Sequence, residues 1–469
     1  MLFNSIEYVI FLPLVVIFYY LIPVRFRWIL LLLASYYFYM SWKAEYLILI
    51  IISTAIDYFA GIQMGKIAEQ KKRKPYLILS LVSNLGLLFA FKYFNFFSDS
   101  ARIILEHFNI FYNVPLFNVL LPVGISFYTF QTLSYSIEVY WGKQKPETHA
   151  GYFALYVSFF PQLVAGPIER FDRLGPQLRH HHLLSYENIV NGLKLIVYGL
   201  FIKMVIADNL AVYVDKIFDD PAQFNSSSIL SGLFFYSFQI YSDFYGYSTI
   251  AIGSALLLGV NLMDNFRAPY LSKSITEFWS RWHISLSTWF RDYLYIPLGG
   301  NRVKISRWYL NILIVFLASG LWHGASWTFV IWGGLHGLFY LSETFVNKSI
   351  YFKSTKGFNL INVLLVLKNF TLVTLIWVFF RSQSFGEAIL VFKSIINNIN
   401  VGASLGIPAR MWLLLLFFIL TDVLLYNTRF DRWVNKRNMV VRWSVYAILI
   451  ILTVTLSGVD NQPFIYFQF

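Results

Sequence analysis

Residues 265–301 read NFRAPYLSKSITEFWSRWHISLSTWFRDYLYIPLGGN. Arg267, Lys273, Glu277, Arg281, His283, Arg291 and Asp292 are set there among aromatic and aliphatic side chains. A lipid-facing helix excludes such a pattern, because one charged side chain at the bilayer centre costs at least ~2.5–3.5 kcal/mol. The segment fits an amphipathic or re-entrant element lining a cavity from the cytoplasmic side, where irregular backbone is tolerated. Ser274-Ile-Thr-Glu277 has the form of a capping box and predicts a helix from Ser274 through Trp289. On that helix Arg281, Ser285 and Thr288 share one face and meet a polar ligand. The competing reading is an interfacial helix whose arginines snorkel.

Outward from this block the chain is apolar. Of 469 residues, 58% are hydrophobic and 13% charged, and the mean hydropathy is +0.59. Soluble domains run near ~25% charged, so the composition is that of a membrane protein. The 14 Trp and 32 Tyr suit membrane interfaces, where one end of the ring is apolar and the other wet. Apolar runs fall near 7–22, 29–42, 45–64, 76–94, 117–140, 189–213, 229–259, 308–321, 326–345, 359–380, 410–427 and 442–458. They predict an all-α polytopic fold of about eleven or twelve crossings, since a span needs about 20 residues.

The net charge of +13 sits in short loops between these runs, so the positive-inside rule accounts for it and nucleic-acid binding is excluded. Basic loops at Val24–Arg27, Lys66–Lys74, Lys143–Lys145, Arg170–Arg179, Arg302–Arg307, Lys348–Lys356 and Arg429–Arg442, all placed in the cytoplasm, put both termini outside it. The run Tyr8–Ile22 has no small-residue cleavage site after it and reads as a retained span. Without cysteine there is no disulfide, thiolate nucleophile or Cys-ligated metal. No linker, internal repeat or inverted half interrupts 1–469, which reads as one domain and argues against a transporter.

A second polar signal is Ser319-Gly-Leu-Trp-His323-Gly-Ala, followed by Trp332-Gly-Gly-Leu-His336-Gly. Imidazole titrates near working pH and can take a proton from a hydroxyl nucleophile. Both histidines lie between glycines that admit another backbone or a substrate, and residue context does not separate them. His180–His182 reads as a solvated loop rather than a metal site, because adjacent histidines share no face. Asp57, Glu138, Asp243 and Asp422 lie in or at the ends of spans as lining or structural groups, and none stands out. Walker A and G-x-S-x-G motifs are missing. The tail Phe464-Ile-Tyr466-Phe-Gln-Phe469 is either an interfacial anchor or a segment that inserts into a cavity and presents the Tyr466 phenol as an acyl acceptor.

LPVGISFYTFQTLSYSIEVYWG (121–142), QLVAGPIERF (162–171), FQIYSDFYGYSTIAIG (238–253), ITEFWSRWHISLSTWFRDYLYIPLGGNR (275–302) and GLWHGASWTFVIWGGLHG (320–337) together resemble the membrane-bound O-acyltransferase superfamily. Within it they resemble the branch holding the alginate O-acetyltransferase membrane subunit. The resemblance implies a ring of transmembrane helices, with re-entrant or interfacial helices, around a central funnel. It matches His323 to the family's catalytic histidine and His283 to the second histidine of the RWH segment. It implies acetyl-CoA as a cytoplasmic donor and no metal. The tail resembles the aromatic-Tyr motif of systems that acylate cell-envelope polymers, in which the tyrosine accepts the acyl group and passes it to an extracytoplasmic partner. Glu138 stands where the family more often has aspartate, a conservative departure.

The expectation is therefore an inner-membrane O-acetyltransferase. Arg281, Arg291 and Arg302 meet the donor phosphates, His323 acts as base on Tyr466, and His283 orients or stabilises charge. A periplasmic SGNH-type acetyltransferase then carries acetyl to an exported polysaccharide, with alginate, another exopolysaccharide and peptidoglycan all open. The alternatives are direct transfer to a lipid or sugar, D-alanyl transfer to a cell-envelope polymer as in a sister branch, and transport of a polar substrate.

Overall fold

The computed structural model describes residues 1–116, 121–164, 166–349, 359–458 and 463–467. Most of the basic run Lys348–Lys356, residues 117–120 of the run at 117–140, and residues 459–462 and 468–469 of the tail lie outside them. The described residues are helical apart from loops and one isolated bridge, Phe224 to Ala403. Each apolar run is a helix where described, and the run at 117–140 becomes helical at Ile125. Six helical stretches are long and apolar enough to cross a membrane: Ala44–Lys66, Gln70–His107, Tyr186–Asp219, Ile305–His323, Leu360–Arg381 and Met439–Leu456. The protein is an all-α polytopic membrane protein.

Two compact units are present, Met1–Val190 with Ser254–Met263, and Asn191–Gly253 with Asp264–Phe469. The first contains α1 (Ile6–Leu21), α2 (Val24–Met40), α3 (Leu47–Lys66), α4 (Lys74–Leu88), α5 (Phe94–His107), α6 (Ile125–Trp141), α7 (Ala150–Ser158), α8 (Phe160–Leu163) and α9 (Phe171–Arg179). Asp57 of α3 is a structural group: its carboxylate accepts from Ser80 Oγ, from Asn84 Nδ2 at 2.7 Å and from Ser136 Oγ at 3.1 Å. In lipid a buried polar atom must find its partner within the protein, so this cluster ties α3, α4 and α6. His182 turns its Nε2 to the Gln177 carbonyl at 2.8 Å and packs beside His180, a loop contact rather than a ligand set.

The second unit takes in most of α10 (Tyr186–Leu200), which passes through a π-helical turn at Phe201–Ala207 into α11 (Asp208–Asp219). Next is α12 (Ser226–Leu257), whose 32 residues extend about 48 Å; its last turn belongs to the first unit. The short α13 (Ile275–Arg281) and α14 (Ile284–Phe290) precede α15 (Ile305–His323), α16 (Trp327–Ser349), α17 (Leu360–Arg381), α18 (Phe385–Asn397), α19 (Ala409–Leu424), α20 (Phe430–Asn435) and α21 (Met439–Leu456). α10 and α12 meet at glycine. A Cβ on Gly199 would lie 2.8 Å from the Gly246 carbonyl oxygen, and one on Gly246 would lie 2.9 Å from that of Gly199. Small residues permit such backbone approach in membranes. Gly246→Val is expected to destabilise by about 3 kcal/mol or more, as overpacking against backbone does, and thermal unfolding in detergent measures it.

One expected helix is two. Ser274 caps α13 as foreseen, its Oγ accepting from the Glu277 N–H at 3.0 Å. Glu277 Oε2 reaches back to the Lys273 N–H at 2.9 Å instead of that of Ser274. The helix does not continue to Trp289; it stops at Arg281 and restarts at Ile284, with His283 in the left-handed region at φ +43°. Tertiary partners cause the break. The Ile284 N–H donates to the Asn265 carbonyl at 2.9 Å and the Arg267 N–H to the Arg281 carbonyl at 3.0 Å. Trp282, fully buried, wedges against Phe266 and Phe278. The face expected to carry Arg281, Ser285 and Thr288 together is interrupted there.

Candidate active site

The tail returns into the second unit. Phe464 and Ile465 are buried, and the Ile465 N–H donates to Asp243 Oδ2 at 2.6 Å. Phe464 lies 4.5 Å from the Tyr247 ring and 5.6 Å from that of Phe244. Tyr466 packs on Phe244 at 4.5 Å. An apolar end is thereby seated by one charged acceptor and a set of rings, and it carries the Tyr466 phenol inward.

Tyr466 then faces two imidazoles, with ring centroids 5.6 Å from His323 and 6.4 Å from His283. The two histidines are 6.4 Å apart. His323, only 3% exposed, ends α15 inside a box of Trp322 and Trp332, both at 4.9 Å, and Phe380 at 5.4 Å. His283 lies edge-on to Phe244 at 4.7 Å, its Nδ1 3.5 Å from Ser285 Oγ, which donates to Asn265 Oδ1 at 2.7 Å. Burial pushes the His283 imidazole down to about 3, so it is neutral at working pH. Burial also holds the Tyr466 phenol well above its usual range. A protonated phenol beside the neutral His283 imidazole and the His323 ring, in an aromatic enclosure, suits base-assisted attack on a carbonyl.

The structure separates the two histidines that sequence context left equal. His336 of α16 accepts from Trp279 Nε1 at 3.3 Å and stacks on Phe278, a hydrogen-bonded packing residue that, like His323, also touches Trp332. The glycine before His323 serves α16: a Cβ on Gly320 would lie 2.2 Å from the Phe329 carbonyl oxygen.

Beside this constellation lies a cavity of about 550 Å³. Arg267, Arg281, Arg429 and Arg432 line it, against three carboxylates, Asp264, Glu277 and Asp422. Arg281 is pre-oriented by Glu277 at 3.0 Å and by the Tyr426 hydroxyl, its guanidinium 4.1 Å over the Tyr426 ring. Phe266 lines the cavity and lies 5.0 Å from Phe244, which touches both His283 and Tyr466. The path from cavity to histidines thus runs through Phe266 and then Phe244, with Asn265 of the lining bonded to Ser285 beside His283. Arg291 and Arg302 are elsewhere: Arg291 is 58% exposed and paired with Asp292 at 2.7 Å, and Arg302 is exposed on the turn before α15.

Two groups escaped the sequence reading. Asp243 ranked with three other intramembrane carboxylates, and Lys203 went unnoticed. Their signal was an opposite pair of charges in two apolar runs, since a charge inside a span needs a partner.

A sequence model of the membrane-bound O-acyltransferase family (MBOAT) matches residues 146–381. A probable alginate O-acetylase of Azotobacter vinelandii is 40% identical over 393 residues, 83% of this chain and 76% of that one. The chain belongs to the membrane-bound O-acyltransferase family. A peptidoglycan O-acetyltransferase of Helicobacter pylori is 38% identical over 396 residues, covering 78% of this chain and 73% of its own. A teichoic acid D-alanyltransferase of Bacillus subtilis is 29% identical, covering 50% of this chain and 62% of its own. As an MBOAT protein the chain is a multi-pass membrane O-acyltransferase. The MBOAT match contains His283, His323, Asp243 and Arg281, whereas Tyr466 and Arg429 lie beyond it.

Proposed function

We propose that this O-acyltransferase takes acetyl from acetyl-CoA at the cytoplasmic face, holds it on Tyr466, and passes it to an extracytoplasmic polysaccharide. The observation that carries this reading is the 5.6 Å approach of the Tyr466 and His323 rings. In the first half-reaction the Tyr466 oxygen attacks the thioester carbonyl as His323 takes the phenol proton. The carbon–sulfur bond breaks, the thiolate receives that proton, and an acetyl-tyrosine ester and free CoA result. In the second half an acceptor hydroxyl attacks the ester carbonyl, the bond from carbonyl carbon to the Tyr466 oxygen breaks, and the acceptor's proton restores the phenol. The aromatic enclosure keeps water from the thioester and the ester.

The arginine-lined cavity suits the phosphates of the donor, since guanidinium groups bind phosphate through paired, charge-assisted hydrogen bonds. Its loop at 425–432 adjoins the basic run Arg429–Arg442, which the positive-inside rule assigns to the cytoplasm. That assignment places the tail on the outer side, in the bacterial inner membrane. There a periplasmic SGNH-type acetyltransferase would collect the acetyl group. Alginate and peptidoglycan, the polymers named for the relatives above, are the acceptor classes to test.

Purified protein incubated with radiolabelled acetyl-CoA should retain label on the chain. Loss of Arg281 is expected to raise the donor KM at least about tenfold with kcat little changed, as removal of a charge-assisted bond does. Arg291→Ala and Arg302→Ala, outside the cavity, are expected to move it less. Steady-state kinetics on the three variants decides whether this cavity holds the donor.

A further inference from the structure

Three ionic side chains meet where α10, α11 and α12 pack. Lys203 lies in the π-helical turn, 2.6 Å from Asp208 Oδ1 and 2.7 Å from Asp243 Oδ1, and all three side chains are 7% exposed or less. Lys203 with Asp208 alone would already be a neutral pair. Burying a second carboxylate is costly unless it makes further bonds. The added bond is visible: Asp243 Oδ1 pairs with the Lys203 ammonium and Oδ2 accepts from the Ile465 N–H. The glycine contact between α10 and α12 permits it, since a Cβ on Gly246 would lie 3.0 Å from the Lys203 backbone nitrogen. Tyr247, in the same turn as Asp243, has Lys203 5.5 Å from its ring and Phe464 on it.

We propose that Asp243, oriented by Lys203, is a positioning residue that latches the C-terminal tail and so sets Tyr466 against His323 and His283. It grips a backbone N–H rather than a tail side chain. A charged hydrogen bond to the backbone makes a reversible dock, and release of the latch lets Tyr466 leave the histidines. The role of the latch in turnover rests on Tyr466 being the acyl acceptor; the docking does not.

The chain has no cysteine, so one introduced thiol reports one position. Ile465→Cys retains the backbone N–H, and the native side chain there is 4% exposed. In detergent-solubilised full-length protein, a water-soluble maleimide is expected to label this thiol slowly. Adding Asp243→Ala or Lys203→Met should speed labelling at least about tenfold, because a hydrogen bond to a charged acceptor shifts an equilibrium by roughly ten- to hundredfold. Asp243→Asn, which keeps an acceptor oxygen, should fall between. Ile217→Cys, in the fully buried core of the same unit, must stay protected in the Asp243→Ala background. Labelling at 465 within twofold of the unmodified background, or a parallel rise at 217, would overturn the latch. Tyr466→Phe should leave labelling at 465 unchanged. If that variant also kept full acyl transfer, the relay would fall while the latch stood.

Discussion

Replacing His323 with glutamine is expected to slow acyl transfer by roughly 10²–10⁴-fold, the usual contribution of a positioned general base. Glutamine is the informative variant because it largely fills the box of Trp322, Trp332 and Phe380 around the imidazole. Alanine would add a cavity cost of about 2–4 kcal/mol to the loss of the base. His323 carries the prediction ahead of His283 on geometry. It is nearer the Tyr466 ring, 5.6 against 6.4 Å, and the His283 Nδ1 is turned to Ser285. His336→Gln, in a residue bonded to Trp279 and packed on Phe278, is the matched control and should retain the acyl step. The initial rate of label transfer from acetyl-CoA in detergent measures both. An undiminished rate in His323→Gln would assign the base elsewhere.

The second large effect is expected at the tail. Tyr466→Phe removes one oxygen and keeps the ring that packs on Phe244 at 4.5 Å and Phe464 at 5.5 Å, so the segment stays seated. If the phenol is the acyl acceptor, chain labelling and polymer acetylation in cells should both fall by more than about a hundredfold, as when an attacking group is lost. Donor binding should survive, because the arginine-lined cavity is untouched. Full polymer acetylation with Tyr466→Phe would show direct transfer to the final acceptor, leaving the tail as an anchor.

Much of this was legible in the sequence, for identifiable reasons. Apolar runs near span length became helices because a backbone in lipid has few other ways to satisfy its hydrogen bonds. The charged block at 265–301 was rightly kept out of the lipid-facing helices, and the capping box at Ser274 formed. Composition alone left His323 and His336 equal; the resemblance distinguished them, and the packing of His336 on Phe278 and Trp279 supplies the physical ground. What stayed hidden depended on residues far apart in the chain. The stop at Arg281 requires Asn265 to accept from Ile284. Half of the arginines around the cavity come from 429–432, which read only as an orienting basic loop. Asp243 gained its meaning from Lys203, forty residues earlier by number, and from a tail more than two hundred residues later.

The backbone at His283 has a bearing on how this protein should be dissected. At φ +43° the residue occupies a shape that costs most side chains about 1–2 kcal/mol, and that asparagine and histidine adopt more readily than alanine. An alanine there changes two quantities at once, the imidazole and the local chain energy that holds α13 and α14 apart. Asparagine changes the first and largely spares the second. The choice of reference residue therefore fixes what a substitution at 283 measures, and the asparagine variant is the one whose lost activity belongs to the ring.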